Sequence, residues 1–183
     1  MITNRDIEVI NFIEKFKCAK TSTIAKLFYP SLLVAQKRLK KLYEYKELQR
    51  YRHNIANEYV YYIKRPKQMK HRLLLTDFYA ELSQIVEIKA FENEVILGNI
   101  RPDGLVGYVV NNKKYIACVE VQISNQKLNI DKYKKFYNTE EYKKYFPTIP
   151  LIVAVTNKRI EEVNEFKIIQ VREDLKEIER VVL

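Results

Sequence analysis

The chain has 183 residues, 47 % of them apolar, with only three Gly and five Pro. That length and apolar share permit one large domain or two small ones built from regular elements, and they exclude wholesale disorder. The formal net charge of +10 is lopsided: residues 1–70 hold 16 Lys and Arg against 6 Asp and Glu, and residues 71–183 hold 17 of each, so a basic segment suited to a polyanion precedes a neutral one.

Thr3 followed by Asp6 reads as a capping box, with Asp in place of the usual Glu, and opens a helix over Asn4–Phe16. Residues 17–20 are a connector. Thr21, Ser22 and Thr23 offer N-caps for a short second helix carrying Ile24, Leu27 and Phe28, which Tyr29-Pro30 stops. Ser31 caps a third helix reaching Tyr45. Its Ala35, Leu39 and Leu42 form an apolar stripe, and Leu33, Gln36, Lys37, Lys40 and Lys41 face the other way, with Leu33 the single large apolar residue there. Ammonium groups suit phosphates, and an amide can bond an adenine edge. The same face could serve as a solvated surface. What favours nucleic acid is the short break before it, which makes a helix-turn-helix, and the hairpin after it. Residues 48–53 and 58–63 read as that hairpin's strands, with a polar turn at 54–57. Arg50, Arg52 and His53 are expected to line its DNA side, with Tyr59 or Tyr61 alongside.

Residues 64–70, KRPKQMK, read as a linker between a domain of residues 1–66 and one of residues 71–183. A helix is expected over 71–82. Short strands are expected at 85–91 and 95–97, and longer ones at 99–110 and 113–124. Asn111-Asn112 reads as a two-residue hairpin turn. A helix over 128–145, a strand over 151–156, a helix over 159–165, a strand over 167–171 and a helix over 175–182 complete the pattern. The fold class is therefore α+β, with a mixed sheet and helices on its faces in the second half. Asp103 at the start of one strand and Glu120 inside the apolar run IACVEVQI are to be brought together by the hairpin. Neighbouring carboxylates repel and need a cation or a shared proton; Mg²⁺ is one solution.

There is no apolar run of about 18 residues, so no membrane span is expected. The start, MITNRDIEVI, lacks a signal-peptide pattern. Cys18 and Cys118 lie far apart in apolar surroundings, which suits buried free thiols in a reducing cytoplasm. His53 and His71 have no metal-ligand spacing around them.

Asp103, then Glu120-Val121-Gln122 beyond a hairpin, then a long helix resemble the PD-(D/E)xK nuclease core. The resemblance implies Mg²⁺ on Asp103 and Glu120, with Glu81 as a further acidic ligand, and a catalytic Lys two positions after the Glu. Gln122 stands there instead, and a neutral amide supplies no charge to the transition state. Lys127 or Lys132 could supply the missing cation. The basic helices opening with ITNRD, the tyrosine-rich hairpin, the helix opening at His71 and the RPD of residues 101–103 together resemble the replication-relaxation family of plasmids, conjugative elements and phages. That resemblance implies a winged helix-turn-helix followed by a nuclease-like domain. The expected function is a double-stranded DNA-binding accessory of a mobile element, needing no cofactor to bind DNA and acting as a homodimer. A relaxase or replication initiator is the implied protein partner. The alternative is a Mg²⁺-dependent endonuclease targeted by its winged helix.

Overall fold

Thr3 sets the start of α1 (Asn4–Phe16). Its hydroxyl accepts the Asp6 N–H, and the Asp6 carboxylate accepts the Thr3 N–H at 2.6 Å, so two helix-end donors are satisfied reciprocally. α2 (Thr21–Phe28) and α3 (Leu32–Glu44) follow. The side chain of Ser31 accepts the Val34 N–H, and Ala35, Leu39 and Leu42 are buried, as the stripe predicts. α3 ends where Lys46 takes φ 63°, with Glu47 N–H donating to Leu42 O and Lys46 N–H to Tyr43 O. This is the Schellman arrangement, with a lysine at the position glycine favours.

The computed structural model describes residues 1–53, 55, 57–123 and 128–182. They form an α+β protein of five α-helices, a small antiparallel sheet and a mixed five-stranded sheet. Contacts divide the chain into two units, Met1–Ala80 and Glu81–Leu183. In the first, β2 (Gln49–His53) and β3 (Glu58–Tyr62) make the expected hairpin, and β1 (Ala19–Lys20), inside the expected connector, pairs with β3. Two residues of that turn, Asn54 and Ala56, lie outside the described residues.

The boundary differs from the one expected at the basic linker. α4 (Met69–Leu82), assigned from sequence to the second domain, packs mostly within the first unit. Leu73 joins Cys18 and Val60 in a buried cluster. Thr76 Oγ1 donates to Cys18 O at 2.9 Å, and Asp77 accepts from Lys20 Nζ and Thr23 Oγ1, each at 2.5 Å. The Tyr79 ring lies 4.9 Å from that of Phe16.

In the second unit the strand order is β4 (Glu87–Asn93), β5 (Gly104–Val110), β6 (Lys113–Val121), β7 (Leu151–Val155), β8 (Ile168–Val171). The first three are antiparallel and the last three parallel. α5 (Ile130–Asn138) buries Tyr133 and Phe136 in a core with Cys118, Ile152 and Phe166. Both cysteines are buried and free.

Several expected elements are corrected. The helix expected over 128–145 stops at Asn138: Glu140 turns left-handed at φ 54° and a 3₁₀ turn, Glu141–Lys144, follows, stacking Tyr142 on Tyr137. Residues 159–165 form no helix. Gln170 Nε2 donates to Thr156 O and Lys158 O, so cross-strand bonds hold the start of this loop. The last helix reduces to a 3₁₀ turn, Ile178–Val182, and residues 95–97 contribute only an isolated bridge, Leu97 to Ile100. β5 starts at Gly104, just beyond Pro102, which has no N–H to add to a ladder.

Candidate nucleic-acid surface and carboxylate pair

Each unit carries one candidate site. In the first, α3 exposes Gln36, Lys37, Lys40 and Lys41 together. Lys40 Nζ lies 3.7 Å from Glu44 Oε1, an exposed i,i+4 pair of little energetic weight that a phosphate can replace. Ser31 serves as the helix cap. The first turn is more apolar than the sequence reading allowed, with Leu32 48 % exposed, Leu33 59 % and Val34 43 %.

The hairpin divides its residues between two faces. Arg50 pairs with Tyr61 and Arg52 with Tyr59, so these four side chains share one face. His53 sits on the opposite face with Tyr51, their rings 6.3 Å apart. The expectation that His53 lines the same side as Arg50 and Arg52 is therefore corrected; strand alternation places it with the odd-numbered residues. Arg50 is clamped between the rings of Tyr43 on α3 and Tyr59 on β3, at 4.2 and 4.1 Å. Both faces of its guanidinium are covered, so it pins hairpin to helix. Arg52 is exposed and donates to Asn57 Oδ1 at 2.5 Å.

Sequence reading missed the polar centre of this unit. Asp6 is fully buried, and Arg38 Nε donates to its Oδ1 at 2.6 Å while Arg38 Nη2 bonds Oδ2. The Arg38 hydrogen bonds bring the Asp6 carboxyl from 3.8 to about 2, against burial, which acts the other way. The available signal was Arg38 on the flank of α3, one turn below the exposed Val34.

In the second unit Asn111 and Asn112 turn the β5–β6 hairpin, both at positive φ as such a turn requires. Gly104 pairs with Val119, which sets Asp103 opposite Glu120 one step on. The expected juxtaposition is present: Asp103 Oδ2 accepts the Val121 N–H at 2.8 Å, and its charge bears on Glu120. Glu120 is 4 % exposed. Its Oε1 accepts from Lys132 Nζ at 2.6 Å and from the Tyr133 hydroxyl at 2.5 Å. Burial raises the Glu120 carboxyl above its ordinary range, and Lys132 acts against that. The Tyr133 hydroxyl is raised further, by burial and by the Glu120 charge.

Gln122 opens onto a cavity of about 210 Å³ shared with Asn129, Asp131, Thr156, Lys158 and Arg159. Lys127 lies outside the described residues. Of the two lysines considered from sequence, Lys132 reaches Glu120. Glu81 is not brought into a metal-holding group with Asp103 and Glu120; among the described residues no three His, Cys, Asp or Glu form one. The donor set as arranged does not fit Mg²⁺, which needs accessible carboxylate oxygens and several waters: Glu120 is buried, with an ammonium and a phenol on one oxygen. No protein-family model matches this chain, and no curated protein or solved structure is significantly similar to it. Among the described residues, no helix is long and apolar enough to cross a membrane.

Proposed function

We propose that the protein binds double-stranded DNA through its first unit and does not cut it. Three helices followed by a two-stranded hairpin support a winged helix-turn-helix reading, with α3 as the helix that enters the major groove. The observation that carries the proposal is the exposed set Gln36, Lys37, Lys40 and Lys41 on one helix of a segment holding the whole net charge of +10. Lys37, Lys40, Lys41 and Arg52 clamp phosphates, and Gln36 reads a base edge. Arg50 acts indirectly by fixing the hairpin against α3. The accessory role on a mobile element, with a relaxase or replication initiator as partner, rests on the sequence resemblance. The Lys132–Glu120–Tyr133 arrangement supports a second unit that is nuclease-like in outline and inactive in cleavage. A gel-shift series with random and selected duplexes at several salt concentrations tests the reading. Saturable binding with a steep salt dependence is expected, and no binding at low salt overturns it.

A further inference from the structure

A groove of about 750 Å³ runs between the start of α1 and the flank of α3. Apolar side chains line it, among them Ile2, 39 % exposed, and Val34, together with the ring of Tyr29, whose Oη has no hydrogen-bond partner among the described residues. Arg5, Lys37 and Lys41 also line it, and among the described residues none of the three has an acidic partner. The one carboxylate in the wall, Asp6, is neutralised by Arg38. Three uncompensated cations around an apolar trough call for a ligand with both carboxylates and apolar side chains. A duplex backbone, whose only apolar surface is the edges of its sugars, offers little to fill the trough. A second copy of this chain offers a first unit of net +10, which the groove's cations repel, and a second unit with no net charge to attract them.

We infer that the groove binds an acidic, leucine-bearing segment of a partner protein. Because Lys37 and Lys41 line the groove and also belong to the DNA face proposed above, the inference extends that reading: partner segment and duplex exclude one another.

The test uses the full chain and three fluorescein-labelled probes. One is a peptide of roughly fifteen residues with Leu at i, i+3, i+4 and i+7 and Glu elsewhere; the second is a Glu-rich peptide of equal charge without Leu; the third is a short duplex. The Leu-bearing peptide should bind about tenfold more tightly than the charge-matched one. The double variant Ile2→Ser, Val34→Ser should lose about tenfold in peptide affinity while holding duplex affinity within about twofold. Unlabelled Leu-bearing peptide should displace the duplex from the unsubstituted chain. In the unsubstituted chain the peptide should also shift the amide resonances of Ile2 and Val34, a readout independent of how the double variant folds. Equal affinity for the two peptides, or resonances of Ile2 and Val34 that do not move, overturns the inference. So does a double variant that loses duplex and peptide binding alike, which would seat nucleic acid in the groove, or a duplex and peptide bound together. A chain that binds duplex and no peptide removes the groove proposal alone. One that binds peptide and no duplex removes the DNA reading and leaves the groove.

Discussion

Asp6 is both half of a capping box and the buried partner of Arg38, so its removal costs more than a cap. Its carboxyl lies at about 2 in the folded chain against 3.8 ordinarily. Stability from this group is therefore present above about pH 4 and lost as pH falls through about 2. Asp6→Asn is expected to destabilise the first unit by about 2 kcal/mol at neutral pH. The gap between the two proteins in thermal unfolding should close as pH drops from 4 to 2; a constant gap would assign the loss to packing. Glu120 has the opposite sign. Its folded carboxyl is raised, so the native state holds the proton more tightly than the unfolded state, and stability falls as pH rises above about 4.5. Lys132→Met removes the cation that offsets this, and should destabilise by on the order of 3 kcal/mol at pH 8 but much less at pH 5, where the carboxyl can take up a proton. Glu120→Gln keeps an acceptor for Tyr133 and should flatten the pH dependence. Urea unfolding of both variants at the two pH values checks this. The sequence placed Asp103 beside Glu120 through the Asn111-Asn112 turn and named Lys132 as one of two lysines for that site, but the Tyr133 hydroxyl reaches Glu120 by tertiary packing, which no local pattern encodes.

At the level of elements, those with their own caps and stripes were legible. Thr3, Asp6 and Ser31 fixed two helix starts, and Ala35, Leu39 and Leu42 the buried side of α3. The partner of α4 was not. Leu73, Leu74, Leu75, Phe78, Ala80 and Leu82 are all buried, so the helix has apolar residues around most of its circumference, and its periodicity names no particular neighbour. Residues 159–165 form a loop and not the expected helix, and the fold holds the loop's start through Gln170. For α3, Lys37→Ala with Lys40→Ala should weaken binding to every duplex and reduce the log–log salt slope by about one unit per lost phosphate contact. Gln36→Ala should leave that slope unchanged and relax sequence preference. Arg50→Lys should do something different. Lysine cannot stack its head flat between Tyr43 and Tyr59, so a loosened hairpin, seen as faster amide exchange over residues 49–62, should accompany any loss of affinity. A slope change of about one unit for the charge-removing Arg50→Gln, with exchange unaltered, would make it a direct phosphate contact after all.

Across the whole chain, charge and packing divide it at different places. The net charge is complete by residue 70, but the first unit's core extends through Tyr79. A fragment of residues 1–80 should therefore fold and bind duplex. One ending at residue 68 keeps +9 of that charge but uncovers Cys18 and Val60 and leaves Lys20 and Thr23 without Asp77, so it should bind poorly and unfold early. Equal binding by the two would mean that charge alone carries the interaction. Residues 81–183 are expected to add no duplex affinity and no cleavage. Hydrolysis of a phosphodiester needs an activated water and a stabilised developing charge, and removing one well-placed group commonly costs about a hundredfold or more. Here Gln122 is neutral, and Lys132 is bonded to Glu120. The assay is incubation of the full chain with supercoiled DNA in Mg²⁺ and in Mn²⁺. Intact supercoiled DNA is the expected result. Nicking that disappears in Glu120→Ala and survives in Lys132→Met would show that metal displaces the lysine, and the second unit would then be an active nuclease.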